Sequence, residues 1–474
     1  MTDYEHIDHS YPRKDGVKKV NGEADYTDDY KPDNLLHAAV LTSPHAHAKI
    51  KSIDTKKAEE SSGVRSVVTG KDFDIHTGIY LGDKRPLAKD KVRHYGERVA
   101  AVIADSEHEA KRALDLIDVD YETLESVSSP KEALKEDSPV LHENMEDYDS
   151  ISAIHPEPGT NIGNRTKIRK GDTESGLEES DVVVEDTFEF KGKDHVAMEP
   201  RVTIAEIDSD DQVIVRTASQ SPFVVRHSLS LYFDIPHNNI KVKTPFVGGG
   251  FGGKAGIYLE ALAYLLSKEV NGKPVRLANS REEDLVSSPG SMGFEGEVKI
   301  GATEDGEIKA MDIRFLFDSG AYADYAVNIS RAAAVSCTGP YSVPNVKADS
   351  LCVYTNHPYA TAFRGFGHIE QGFAIERTLN LLADKINMDP AELRIKNAIK
   401  EGDTTPTDSP MDKSTGDLPK CIENVKNMLD WDEGQVIEVS ENKIRAKGIG
   451  SLWKTPIIPP NTRSSIVVMF NEDG

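Results

Sequence analysis

Two glycine-rich segments, TPFVGGGFGGKAG (residues 244–256) and ATAFRGFGHIEQG (residues 360–372), each set an aromatic ring among glycines, and the second adds a guanidinium. Glycine lacks a Cβ and adopts positive φ, so its backbone N–H groups can come close to a ligand. Two such loops in one chain predict that both fold around one polar, anionic ligand.

Gly248 to Lys254 also reads G-x-x-x-x-G-K, most of a phosphate-cradling nucleotide loop. A strand-like run, IKVKTPFV, leads into it and a helix-like run, LEALAYLLSKEV, follows it. The next residue, however, is Ala255, where that loop needs a Ser or Thr hydroxyl for Mg²⁺. The pattern therefore argues against an NTPase. One glycine cluster alone reads equally well as a tight turn packed for steric reasons; two, each holding an aromatic, favour a ligand.

The elements that must position these loops read as an α+β chain. From 13 to 125 short strands alternate with helices: LLHAAVLTS, HAKIKSID, ERVAAVIAD and DVDYETL are strand-like, TKKAEES begins a helix, and SEHEAKRALDLI is an amphipathic helix capped by Ser106. Val99, Ala101 and Ile103 give ERVAAVIAD the alternation of a buried strand. Residues 1–12 read as a loose tail and 126–165 as a polar linker. From DVVVEDTFEFKG (181–192) onward strands dominate, with hairpin turns at Ser209–Asp211 and Glu304–Gly306. Helices EQGFAIERTLNLLADKIN and DPAELRIKNAIK follow the second loop, broken at Asp389–Pro390. From 401 to 474 a helix around LPKCIENVKNMLDW precedes a strand pair beginning near KGIGSLWK, and SSIVVMFNEDG reads as half a hairpin without its return strand.

Composition narrows the function. The 474 residues suit two to four domains. A net charge of −24 argues against nucleic acid, whose phosphates need a basic face. The acidic surface suits a salt-rich cytoplasm as well as an ordinary one. There is no apolar run long enough to span a bilayer and no apolar signal core, so a cytoplasmic location is expected. Cys337, Cys352 and Cys421 are widely spaced, with no CxxC pair for zinc or an iron–sulfur cluster, and read as buried structural thiols.

The pair VGGGFGGK and AFRGFG, with TASQSPF (217–223) upstream, resembles the molybdopterin-binding subunit of the xanthine dehydrogenase and aldehyde oxidase family. DGVKKVNGEADYTDDY, SPHAHAKIKSIDTKKAEESSGVRSVVTGKDF and VRHYGERVAAVIADSEHEAKRALDLIDVDYE resemble its N-terminal domain. GPYSVPN (339–345) and MDPAELRIKNAIKEGD (388–403) match in type and order. The resemblance implies a hammerhead-like α/β domain over 13–125, a first molybdopterin-binding domain over 166–400 and the beginning of a second over 401–474, apparently truncated or split at its C-terminus.

It also implies chemistry. The family binds molybdenum through a pyranopterin, in bacteria usually as the cytosine dinucleotide. A metal-bound hydroxide attacks an aldehyde or N-heterocycle carbon, and electrons leave through iron–sulfur clusters and FAD. With no cysteine framework here, those centres are expected on an iron–sulfur subunit and an FAD subunit. By resemblance Gln220 donates its amide to the apical oxo group, and Phe251 lies beside the metal. Gly252 and Gly253 supply N–H donors with Phe251. Arg364, with Gly365, faces the cofactor. Phe366 stacks on the substrate ring.

Three departures shape the expected activity. Purine-oxidising relatives carry a glutamate where Ala255 stands, and an arginine at a register that falls here on Ala332, one place from Arg331, counted from Tyr341. Xanthine is therefore disfavoured. The family's glutamate general base has no match, so a C-terminal molybdopterin-binding half is expected as a partner; Glu199 is the nearest tempting carboxylate and reads as structural. A second reading is a non-catalytic cofactor-binding scaffold or assembly subunit.

Overall fold

The computed structural model describes residues 9–454 together with 466, 468 and 469. The described chain divides into two compact units. One contains the residues up to 126, 194–290 and 356–359; the other contains 127–193, 291–355 and the residues from 360 on.

The first unit is built on a seven-stranded mixed sheet. Its spatial order is Ile240–Lys243, Val213–Thr217, Val202–Ile207, Val275–Ala278, Leu36–Thr42, Arg98–Ala104 and Val64–Thr69. Leu36–Thr42 pairs in parallel with Val275–Ala278, Leu36 opposite Val275, so hydrogen bonding runs unbroken from the N-terminal region into the strands that follow Val202. A smaller sheet holds Lys91–Val92, Ala48–Asp54 and Asp118–Thr123.

As expected of a buried strand, every residue from Val99 to Ala104 is fully buried. The strand lies inside the sheet. Ala101 and Ile103 pack into a core with Leu229 and Leu262, while Ala100, Val102 and Ala104 pack against Ala110 and Ala113 of the helix Glu107–Leu114. As expected, Ser106 caps that helix, its Oγ accepting from the Glu109 N–H at 3.2 Å. The helix Glu260–Glu269 is buried on several faces, which explains why it is apolar nearly all round.

The second unit holds a five-stranded sheet in the order Ile162–Lys170, Asn345–Tyr354, Ile308–Gly320, Gly293–Ala302 and Val182–Phe190. Phe294, Phe315 and Phe317 form an aromatic core on it, with ring centroids 5.1–6.3 Å apart. The helix His368–Lys385 packs on Val182–Phe190, where Phe373 sets its ring edge-on to Phe188 and Phe190. Asp389 caps the next helix, Pro390–Asn397, as its Asp-Pro start predicts. Both expected hairpins form, with Asp211 at φ 57° and Gly306 at φ 84° in their turns.

Three expectations need correction. Residues 126–165 are not simply a polar linker, because Leu141 and His142 are fully buried in the second unit. Asn161 ties this stretch together: its Oδ1 accepts from the Leu141 N–H (2.9 Å) and its amide donates to Ala133 O and Pro139 O. Cys337 and Cys352 are buried, but Cys421 is exposed. It lies on the helix Leu418–Met428, whose buried residue is the neighbouring Ile422, about 100° further round.

Among the described residues the last strand pair is Val436–Ser440 with Lys443–Ala446; residues 447–454 form no strand, and the rest of the pair expected from Lys447 lies outside the described residues apart from three positions. The Glu441–Asn442 turn between them is the signal that the sequence reading passed over. The half-hairpin expected over 464–474 lies outside the described residues apart from three positions, and most of the expected tail over 1–12 does too. Among the described residues no helix is long and apolar enough to cross a membrane.

Candidate functional site

Gln220, Phe251, Gly252 and Gly253 belong to the first unit, and Arg364, Gly365 and Phe366 to the second.

The first glycine loop leaves the strand Ile240–Lys243. Gly249 (φ 98°), Phe251 (φ 55°) and Gly252 (φ 105°) have left-handed backbone. Glycine takes this freely, whereas a phenylalanine is strained in it. Gln220 packs against the turn. Its Oε1 accepts from the N–H groups of Gly252 (2.9 Å) and Lys254 (3.3 Å). A Cβ on Gly250 would lie 2.4 Å from that oxygen, so only glycine lets the amide in. Two N–H donors on one side fix which end of the amide is oxygen, leaving Nε2 as a donor that no described residue accepts.

The expected donors Gly252 and Gly253 are used within the loop, the first on Gln220 and the second on Gly250 O (2.7 Å). The N–H groups of Gly249, Gly250 and Phe251 have no acceptor among the described residues. The open donors thus lie earlier in the loop than expected, because Gln220 and the tight turn claim the later pair. The Phe251 side chain is exposed.

Glu199 and Lys254 close this loop. The Lys254 Nζ donates to Glu199 Oε2 (3.0 Å) and to Glu199 O (2.8 Å), and the same Oε2 accepts from the Gly248 N–H (2.8 Å). Burial lowers the Lys254 pKa, and Glu199 opposes that. The lysine of the nucleotide-loop pattern is therefore committed to a carboxylate. Arg201 holds the same segment from another side: Nη2 donates to Gly253 O (2.6 Å) and Nη1 to Asp284 Oδ1 (3.0 Å). Burial works to raise the Asp284 pKa, but Arg201 and hydrogen bonds from Ser288 and Asn279 hold it below the usual carboxylate value. Sequence reasoning missed Arg201 and Asp284. The only signal was a second charged residue two places after Glu199, across Pro200.

In the second unit, Gly365 (φ 115°), Phe366 (φ 55°) and Gly367 (φ 84°) repeat the pattern of an aromatic in left-handed backbone between glycines. The Phe366 N–H donates to Phe363 O (2.8 Å), and the turn runs directly into the helix His368–Lys385. A Cβ on Gly367 would meet Ile329 at 2.9 Å, so the helix Ala326–Val335 packs straight onto the loop. Arg364 is exposed and makes no hydrogen bond or ion pair with a described residue. Phe366 is half-buried, edge-on to Tyr325 at 6.3 Å. Arg331 is half-buried on its helix, while Ala332 is fully buried. Tyr341 is also buried and donates to Glu376 Oε1 (2.6 Å); the buried Arg394 holds the other oxygen of that carboxylate at 2.8 Å.

Comparison with known proteins places both regions. Residues 21–125 match the aldehyde oxidase and xanthine dehydrogenase a/b hammerhead domain, and residues 154–398 match the molybdopterin cofactor-binding domain. The chain is 33% identical to the nicotinate dehydrogenase large molybdopterin subunit of Eubacterium barkeri, over 91% of this chain and 99% of that one. It is 32% identical to the carbon monoxide dehydrogenase large chain of Afipia carboxidovorans, over 82% of this chain and 49% of that one. Among solved structures, the aldehyde oxidoreductase of Desulfovibrio gigas superposes with a TM-score of 0.80 at 30% identity, covering 89% of this chain and 46% of that one. The chain thus spans nearly all of one relative and about half of the other two.

Proposed function

The chain belongs to the molybdopterin-binding subunits of the xanthine dehydrogenase and aldehyde oxidase family, and on that premise we propose that it is the cofactor-binding part of a molybdenum hydroxylase acting on an aldehyde or an aromatic N-heterocycle, with water as the oxygen source. The observation that carries this reading is the set of open donors in the first loop. Three successive N–H groups, at Gly249, Gly250 and Phe251, and the Gln220 Nε2 have no acceptor among the described residues. Such a run of donors suits an oxygen-rich anion. The unpaired Arg364 guanidinium in the second loop suits the same chemistry.

When bound, the cofactor supplies the two-electron oxidation and the oxygen-transfer chemistry. The chain's own residues bind and orient. Gly249, Gly250 and Phe251 donate to cofactor oxygens, with Gly252 and Gly253 shaping the turn that presents them. Gln220 gives a neutral donor that cannot titrate away. Arg364 adds a fixed planar charge, Gly365 lets the backbone turn behind it, and Phe366 offers its ring to an aromatic substrate. Ala255 leaves the substrate pocket without a carboxylate, so xanthine is a poor substrate. The name of the Eubacterium relative, a nicotinate dehydrogenase, supports a heterocyclic substrate.

The remaining parts belong to partners. We assign the electron path to an iron–sulfur subunit and an FAD subunit, and the cofactor to its cytosine dinucleotide form. Residues 401–474 begin a second molybdopterin-binding domain. The general base belongs to the region that longer relatives have beyond the match, whether encoded with this chain or apart. The test is metal and pterin content after co-expression with the neighbouring genes. The reading expects molybdenum and pterin in the complex and their loss in Arg364→Ala, since a charged contact is worth about 1.5–3 kcal/mol. A wild-type complex without either would overturn it. A loaded complex inactive on every aldehyde and heterocycle would leave the scaffold reading.

A further inference from the structure

In the first unit, a cavity of about 560 Å³ opens between the turn that contains Asp25 and Tyr30 and the ends of two sheet strands that carry Arg216 and Lys243. The turn is pinned in place. Tyr26 forms an isolated parallel bridge with Phe246, and the Phe246 N–H donates to Asp25 O at 3.2 Å. The volume falls in the range of small-molecule sites.

Arg216 and Lys243 are direct register partners on adjacent parallel strands. Like charges placed opposite each other in a sheet destabilise it. Neither makes a hydrogen bond or ion pair with a described residue. Arg216 instead lies flat on the Tyr30 ring, its Cζ 3.6 Å from the centroid. Two buried polar atoms of this wall, Arg216 Nε and Thr244 Oγ1, have no partner. Burial, then Arg216 and Lys241, lower the pKa of Lys243, and Glu206 opposes them. The turn that lines the cavity also carries Asp25, which pairs with neither cation, and Asp29, whose carboxylate accepts from the Tyr26 N–H at 2.8 Å. A carboxylate there disfavours a bare phosphate but accepts from sugar hydroxyls, as an acidic residue does on the ribose of dinucleotides.

We propose that this cavity binds a nucleoside phosphate, with the phosphate on Arg216 and Lys243, a ribose hydroxyl on Asp25 and the base beside the Tyr26 ring. The site is separate from the glycine-loop donors and does not depend on the cofactor reading. The test is calorimetric titration of the full chain with AMP, CMP, inorganic phosphate and ribose. The proposal expects a nucleoside monophosphate to bind at least about tenfold more tightly than phosphate or ribose alone, since linking two contacts adds their energies. Arg216→Gln and Lys243→Gln should each weaken nucleotide binding by about tenfold or more, the worth of a charged hydrogen bond. Asp25→Asn should weaken the nucleotide but not inorganic phosphate. Thermal unfolding of each variant separates lost binding from lost folding, and Arg216→Lys, which keeps the charge, should retain part of the affinity. Equal binding of phosphate and nucleotide would overturn the proposal. So would nucleotide binding that folded Arg216 and Lys243 variants leave unchanged, or no binding of any probe.

Discussion

The Lys254 ammonium lies 3.0 Å from Glu199 Oε2, and the same oxygen takes the Gly248 N–H, so one carboxylate joins the start of the first glycine loop to its end. Both side chains are largely buried, with 3% and 12% of their surface exposed. The pair therefore acts as a clasp, and the loop's shape depends on it.

Breaking that clasp from one side should be costly. Glu199→Ala leaves a buried ammonium without its carboxylate, and removing one partner of a buried pair costs about 3–5 kcal/mol. Glu199→Ala combined with Lys254→Met should be less unstable than Glu199→Ala alone, because the stranded charge is gone. Urea unfolding of the wild type, Glu199→Ala, Lys254→Met and the double variant measures this. A double variant as unstable as the sum of its parts would show that the two residues act independently.

Acid stability should report on Asp284. Its folded pKa is held below the usual value, so the unfolded chain binds the proton more readily. The stabilisation is complete above the ordinary aspartate range and is lost as pH falls through the folded value. Asp284→Asn should lower stability at neutral pH and flatten its decline on acidification. Unfolding midpoints from neutral pH down to the acid limit check the slope; an unchanged slope would assign the acid response to other carboxylates.

Strain at Phe366 should be measurable. A bulky residue in left-handed backbone costs about 1–2 kcal/mol, which glycine does not bear. Phe366→Gly loses the ring's contact with Tyr325 but gains back that strain, so its unfolding midpoint should fall far less than expected for a deleted half-buried phenylalanine. Activity of the complex on aromatic substrates should drop more than on small aliphatic aldehydes. Equal losses on both would argue that the ring serves the fold rather than the substrate.

Much of this was legible in the sequence, for identifiable reasons. Ser106, Asp211, Gly306 and Asp389–Pro390 mark caps and turns through local chemistry, and local chemistry reads directly from the chain. The glycine loops were legible because the aromatic-between-glycine pattern occurs twice. What stayed hidden was long-range. Nothing in the sequence says that Arg201 reaches both Gly253 and Asp284, or that Asn161 organises the stretch around Leu141. The open donors were misplaced for the same reason: Gln220, well upstream, consumes the Gly252 N–H, so which N–H groups face outward depends on a contact distant in sequence.

The parallel pairing of Leu36 with Val275 sets where this protein can be cut. Residues 21–125 look like a separable module in sequence, yet their strand Leu36–Thr42 lies inside the seven-stranded sheet, between Val275–Ala278 and Arg98–Ala104. A fragment ending near residue 125 would bare one full side of that strand, a row of open N–H and C=O groups beside apolar side chains. Such an edge recruits other chains. The smallest piece of the N-terminal region that stays monomeric in isolation therefore has to include the strand at Val275, far downstream of where the module's sequence signature ends.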